Sequence, residues 1–435
     1  MLYHSTRNHD LNVTLKEAVF CGGNSVNEYF MPERLPRIPR AFFNNFSDMS
    51  FKDIAYVLAN QMFGEEFDSA TIKDIVNKAI NFDAPIVHVK DNIYVLELFH
   101  GPTMAFKDFG ARFMARMFEN SGWLSPDSKI AILLATTGNT GAAVANAFAG
   151  VPNVKVYILF PKGRSTRQLE SQFVTLGGNI IPIEVMGTID QCRQLVAQAF
   201  DDKALNRRVT MTSANSANIA RLLPQTFYYF YGLSRLQKLV GNDRKVMLSV
   251  PCGNLGNLVG AAMSKRMGLP VDRILACENA NSQFHQFMTT GLISSPHSTP
   301  TLAYAADKGM PSNLQRLLSL YDNSRDNLAR DITAMSFDDA ATISTINGTF
   351  DETGYMCDPH TALAYAGLSR MLPKDQIGLF VASAHPAKSV ATMNAITGRA
   401  IDLPLQMNAF MTGFDHRVKM MPNFDSLKRI ILENS

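Results

Sequence analysis

Ile130–Ala135 is apolar at every position, and the next six residues, Thr136-Thr137-Gly138-Asn139-Thr140-Gly141, turn the chain into the alanine-rich segment Ala142–Ala149. A short run that is apolar throughout, without alternation, suits a parallel strand covered by helices on both faces. The same pattern recurs at Ile93–Phe99, Val154–Phe160, Asn179–Val185, Val246–Val250, Ile274–Cys277 and Gly378–Ala382. Helical stretches such as Ile219–Leu239, Pro359–Met371 and Ala387–Gly398 lie between or after these runs. Alternation of this kind predicts an α/β architecture with mostly parallel sheets. Residues 1–92 read differently, with apolar positions at helix spacing in Phe51–Phe67 and Ala70–Phe82. The expected organisation is a mainly helical N-terminal domain (1–92), then a core of two α/β lobes (93–435) meeting at a cleft. The tail past Gly398 reads as helical packing.

Composition narrows the function. The 435 residues carry a net charge of +3 and are 46% hydrophobic and 18% charged, which describes an ordinary globular protein. So small a charge gives no reason to expect nucleic acid or a membrane surface as partner. Five scattered cysteines (Cys21, Cys192, Cys252, Cys277, Cys357) form no Cys-x-x-Cys pair, and the nine histidines form no zinc-binding helix motif. The expectation is therefore no metal, no disulfide framework and a reducing, cytoplasmic setting. The start, Met1–Arg7, shows no signal-peptide stretch, and no apolar run approaches the roughly 20 residues of a spanning helix.

Chemistry concentrates in four places. The block His100–Gly110 holds Lys107 between Phe106 and Phe109, just after an apolar run and a Gly-Pro turn. Desolvation disfavours an ammonium, and a neutral lysine amine is what Schiff-base chemistry requires. Taken alone, the block also fits a surface lysine at a helix start. Thr136–Gly141 and Pro251–Asn257 are strand-to-helix turns whose small residues expose backbone amides to an anion. Ser383-Ala384-His385-Pro386-Ala387-Lys388 is a third such turn. None fits the dinucleotide fingerprint or the Walker loop. Two anion-suited loops and one activatable lysine match pyridoxal 5'-phosphate, a phosphate-bearing aldehyde that acts on small-molecule amino acids.

Read together, the blocks Tyr3–Arg7, His100–Gly110, Leu176–Asn179, Ser213–Arg221, Asp358–Ala362 and Ala384–Lys388 resemble the threonine synthase family, in order and over nearly the whole chain. The resemblance implies the tryptophan-synthase-β fold (fold type II) and a lyase that converts O-phospho-L-homoserine and water to L-threonine and phosphate, as a monomer or homodimer. It implies that Lys107 forms the imine with the cofactor and shuttles protons. Gly253, Asn254, Leu255, Gly256 and Asn257 would cradle the cofactor phosphate, Ser383 would meet the pyridine nitrogen, and Asn139 would lie near the ring hydroxyl. Thr136, Thr137, Gly138 and Thr140 would bind the substrate carboxylate. Asn215, Ser216, Asn218 and Arg221 would bind its phosphate.

The chain departs from the family pattern at several of these places. Thr137 and Asn139 stand where the pattern has serine and aspartate. Cys252, Leu255 and Asn257 alter the phosphate loop, Arg164–Arg167 replaces Lys-Ile-Ser-Pro, and Ala303-Tyr304 replaces Ser-Asn. These departures spare the lysine and the glycines but fall where substrate would be gripped. The alternative they leave open is a related enzyme acting on another γ- or β-substituted amino acid, a phospholyase or a γ-replacement enzyme. A catalytically silent homologue and a serine or threonine dehydratase are further alternatives, against which stand the intact Lys107 and the His100–Gly110 block.

Overall fold

The computed structural model describes residues 1–8, 10–21, 29–123, 128–294 and 297–434. Two sheets organise the chain. Five strands, in the order Val418–Met420, Ile180–Val185, Val154–Pro161, Ile130–Ala135 and Thr210–Thr212, form an all-parallel sheet. The second sheet runs Ile332–Ser336, Arg273–Glu278, Val246–Cys252, Ile377–Ala382, Ile93–Glu97 and Ile86–Lys90, parallel except for the antiparallel pair at its end. Central strands such as Ile130–Ala135 and Ile377–Ala382 are buried along almost their whole length, which is why they lack alternation. The fold is the expected two-lobed α/β core.

The differences from expectation fall at edges and ends. The N-terminal region carries the helices Phe51–Phe63 and Ser69–Ala79, but also a three-stranded antiparallel sheet of Asn12–Val13, Tyr3–Ser5 and Phe30–Pro32. Strands of two or three residues leave no periodic signature. The six-stranded sheet begins at Ile86, before the expected boundary at 92. The stretch Ile219–Leu239 is broken into Ile219–Leu222 and Gln225–Val240 at Pro224, which lacks the amide a continuous helix needs there. The tail is not purely helical: Val418–Met420 extends the five-stranded sheet before the final helix, Phe424–Asn434.

The two sheets direct the carboxyl ends of their strands at one place, where open α/β sheets bind ligands. Ile130–Ala135 ends at Thr136, Val246–Cys252 at Gly253, and Ile377–Ala382 at Ser383. The chain leaving Ile93–Glu97 is stitched to its neighbour: Phe106 N donates to the Ser383 carbonyl at 2.9 Å and His385 N to the Met104 carbonyl at 3.1 Å. That ladder carries Lys107, the first residue of the helix Lys107–Asn120, to the cleft. The helix packs so closely on Ile219–Leu222 that a Cβ on Gly110 would run into the Arg221 carbonyl. Gly110→Ala should therefore cost roughly 1–3 kcal/mol, read as a lower urea midpoint. An unchanged midpoint would show that the two helices part without penalty.

Candidate active site

A cleft of about 820 Å³ lies between the lobes. The helices Lys107–Asn120, Asn139–Phe148 and Gly256–Arg266 all begin on its wall, so three positive dipole ends meet at one cleft. The turns before the last two of these helices need unusual backbone at the residue just ahead of the helix. Gly138 has φ 151, and Leu255, at φ 58, is a left-handed residue with a side chain. Left-handed conformations in bulky residues persist only where the surroundings enforce them, and they gather at ligand sites.

Lys107 Nζ sits 4.8 Å from the centroid of the Phe106 ring. Burial pushes its pKa down to about 7, and the cations Arg221, Lys308 and Lys388 push the same way. Near neutral pH about half of this amine is unprotonated, which is the form an aldehyde captures. Lys388 is also buried, and its pKa is likewise lowered to about 7 by desolvation, countered in part by Asp108. It is engaged elsewhere, donating to the Thr103 carbonyl and to Gln172 Oε1. Asp108 accepts from Thr103 N at 2.8 Å and Thr103 Oγ1 at 2.5 Å, which fixes the turn before Lys107.

The loops surround this amine. Ser383 lines the cleft beside Lys107, its carbonyl held by Phe106. Thr136, Thr137, Gly138, Asn139 and Thr140 line another wall, where Thr136 Oγ1 accepts from the Gly138 and Gly141 amides at 3.1 and 3.2 Å and so shapes the loop. Gly253, Asn254, Leu255, Gly256 and Asn257 form a third wall, with Ala306 so close to Gly253 that a Cβ there would lie 2.5 Å from its Cα. Asn254 ties this loop to its neighbours, donating to Ser216 Oγ at 2.6 Å and accepting from Ser312 N at 2.8 Å. Cys252 is a buried thiol facing the Val250 carbonyl, its pKa raised by desolvation, and is unsuited to act as a nucleophile.

Asn215, Ser216 and Arg221 also reach the cleft, but Asn218 does not. Asn218 is fully buried: its Oδ1 caps Ala220 N at 3.0 Å, and its Nδ2 donates to the Val19 and Ser213 carbonyls. It is a helix cap, and its expected place at the substrate phosphate is corrected accordingly. Arg221 is buried rather than solvated, with Nη1 donating to the Ala214 carbonyl at 2.7 Å.

Tyr304, marked in the sequence as a departure, lines the cleft. Sequence reasoning missed Lys308 and Arg193, which line it too. It missed His360 as well, although the Asp358–Ala362 block pointed there. His360 Nδ1 pairs with Asp358 at 2.7 Å, and its Nε2 accepts from Ala305 N at 3.1 Å. Tyr228 and Tyr229 both donate their hydroxyls to Asn257 Oδ1 at 2.7 Å and so orient it.

Three buried side-chain atoms on the cleft's residues have no hydrogen-bond partner: Asn139 Oδ1, Arg221 Nε and Asn257 Nδ2. Buried polar groups are rarely left unpaired, and here one acceptor and two donors belong to residues that line one cleft. Asn257 Nδ2 and Arg221 Nε suit anionic oxygens, and Asn139 Oδ1 suits a hydroxyl donor. Together with an unprotonated lysine, that set fits pyridoxal phosphate.

Comparison with known proteins agrees. The family described as "Pyridoxal-phosphate dependent enzyme" matches residues 81–382, and "Threonine synthase N terminus" matches residues 2–80. Threonine synthase of Escherichia coli (strain K12) is 37% identical over 407 residues, covering 94% of each chain. The chain belongs to the threonine synthase family.

The crystal structure of the Escherichia coli threonine synthase superposes with a TM-score of 0.92 at 35% identity, covering 100% of both chains. A pyridoxal-phosphate-bound threonine synthase from Brucella melitensis superposes with a TM-score of 0.93 at 26% identity, covering 100% of this chain and 99% of the other. This member of the family is a pyridoxal-phosphate-dependent lyase. Among its described residues, no helix is long and apolar enough to cross a membrane, and no cluster of three His, Cys, Asp or Glu could hold a metal ion.

The lowered pKa of Lys107 has a measurable sign. In cofactor-free protein, acylation of Lys107 followed by peptide mass spectrometry should rise through about pH 7 and level off within roughly a unit above it. An exposed lysine keeps gaining reactivity to roughly pH 10. A Lys107 profile that tracks the exposed one would contradict the buried, cation-flanked environment.

Proposed function

We propose that this enzyme converts O-phospho-L-homoserine and water to L-threonine and phosphate, with Lys107 as its proton-carrying catalytic residue. The observation that carries the reading is an amine with a pKa of about 7 at the start of one helix, in a cleft where two further helices begin and whose residues hold buried polar atoms that lack partners. Membership of the family, from the N-terminal domain to the end of the core, supports the choice of substrate.

Lys107 would hold the cofactor covalently. The amides of Gly253–Asn257 and Asn257 Nδ2 would take its phosphate, Ser383 its ring nitrogen, and Asn139 Oδ1 its ring hydroxyl. A hydroxyl at Ser383, unlike a carboxylate, leaves that nitrogen with less positive charge. The bound cofactor supplies an electron sink for the charge left on the substrate's α-carbon. Thr137 and Thr140, with the first amides of the helix Asn139–Phe148, hold the substrate carboxylate and fix which bond at the α-carbon faces Lys107. Lys107 Nζ, released when the substrate's amine takes its place on the cofactor and unprotonated when its pKa is near 7, would remove the α-proton and carry protons to and from the neighbouring carbons. Arg221, whose Nε–H has no partner, would serve the phosphate that leaves the γ-carbon, and water adds at the β-carbon. Four buried thiols and an unpaired Cys21 suit a reducing, cytoplasmic setting.

The test is product analysis of the cofactor-loaded enzyme with O-phospho-, O-acetyl- and O-succinyl-L-homoserine. Threonine and phosphate should form in equal amounts from the first. Phosphate without threonine would make the enzyme a phospholyase, and inert phosphohomoserine would move the substrate elsewhere. Lys107→Ala should abolish turnover, and full activity in that variant would refute the assignment.

A further inference from the structure

The loop Thr301–Lys308, which departs from the family pattern at Ala303 and Tyr304, ends in a cleft residue that the proposed reaction does not yet use. Asp307 fixes the loop's shape. Its Oδ1 accepts from Asn279 Nδ2 at 2.8 Å, Asn281 Nδ2 at 3.1 Å and Thr301 Oγ1 at 2.7 Å, while its Oδ2 accepts from Thr301 N at 3.1 Å. On the inner side, Ala305 N is bonded to His360 and Ala306 lies against Gly253 of the phosphate cradle. The loop is thus clamped on both flanks, and Lys308, the residue after the clamp, lines the cleft. Asp307 is committed to the loop, and among the described residues no carboxylate pairs with Lys308 within ion-pair distance.

The anions to be bound outnumber the helix N-termini free to bind them. With phosphohomoserine as substrate, the cleft must hold the cofactor phosphate, the substrate carboxylate and the substrate phosphate. The start of the helix Gly256–Arg266 serves the first and that of Asn139–Phe148 the second. The third helix start is taken by Lys107 itself. A phosphate dianion is then left to side chains, and Arg221 has already committed Nη1 to the Ala214 carbonyl.

We propose that Lys308 is a second cation for the substrate's phosphate, selecting a phosphate ester over an acyl ester of the same amino acid and stabilising the phosphate as it departs. As the carbon–oxygen bond breaks, its electron pair leaves with the phosphate, and a fixed ammonium gains attraction as that charge grows. Arg193 and Asp190, from the helix Ile189–Asp201 of the opposite lobe, and Asp307 beside it are the charges that act on Lys308. Burial lowers its pKa to about 8, so it keeps most of its charge at neutral pH.

The proposal rests on the phosphohomoserine reading, so the experiment has two arms, both on cofactor-loaded enzyme. In the first, Lys308→Met should lower kcat/KM for O-phospho-L-homoserine roughly 10²-fold and any turnover of O-acetyl-L-homoserine by a much smaller factor, the share due to its effect on Lys107. In the second, calorimetry with inorganic phosphate should show about tenfold weaker binding. Lys308→Arg should restore most of both. Unchanged phosphate binding in Lys308→Met, or equal losses on both esters, would overturn the role given to Lys308. If the parent enzyme leaves phosphohomoserine untouched, the substrate reading fails, and the calorimetry still decides whether Lys308 binds phosphate.

Discussion

Buried positive charge without matching carboxylates is the constraint around which this cleft is built. Arg221, Lys308 and Lys388 lie close enough to act on Lys107, and desolvation is the leading cause of the shift at each of the four. Asp108 counters part of the charge on Arg221 and Lys388. Asp307, which offsets part of the charge on Lys308, is bonded into its own loop. Such a cluster opposes folding, because isolated buried ions are costly. It also does two useful things. It holds a lysine amine near neutrality, and it leaves an electrostatic deficit that anionic ligands fill. Under the proposed function, binding of the cofactor and substrate would relieve the same repulsion that lowers the pKa of Lys107.

The N-terminal region supports this arrangement from behind. Arg316 is fully buried. It donates from Nε to the Phe30 carbonyl at 3.1 Å, from Nη1 to the Ser216 carbonyl at 3.1 Å, and from Nη2 to the Ala217 carbonyl. One guanidinium therefore joins the small antiparallel sheet to the loop that carries Asn215 and Ser216. Val19, in the helix Leu15–Cys21, offers its carbonyl to Asn218 Nδ2 and Thr212 Oγ1. Movement of the N-terminal region would be transmitted to the Asn215–Arg221 stretch through these direct bonds. The placement of Arg221 depends on residues that never approach the cleft.

How much of this could be read from the chain alone was decided by where burial is symmetric. Central strands such as Ile130–Ala135 and Ile377–Ala382 are covered on both faces, so their apolar runs announced themselves. Thr210–Thr212, Val418–Met420 and the strands of the N-terminal sheet are two or three residues long, too short to show a period. Lys107 and the three turns were legible because each comes after such an apolar strand, so sequence order alone brings them to one edge. Lys308 lies in an irregular segment whose position is set by the side-chain bonds of Asp307 and His360, and only the departure at Ala303-Tyr304 marked the region. Asn218 misled because an asparagine that caps a helix and one that grips a phosphate have the same chemistry.

The strained residues give the last link between fold and chemistry. Met104 and Leu255, with φ of 55 and 58, stand three residues before Lys107 and one before Gly256. A side chain in the left-handed region costs roughly 1–2 kcal/mol, and glycine at either position would remove that cost. Both side chains are buried, and Leu255 belongs to the main hydrophobic core. In each case the buried side chain anchors a turn that leads into cleft-lining residues, Gly256 and Asn257 after Leu255 and Lys107 after Met104. A glycine would make the same turn with no anchor. Holding the amides and the amine still relative to each other is what orienting a reaction requires, and the strain at these two residues is the local consequence of that requirement.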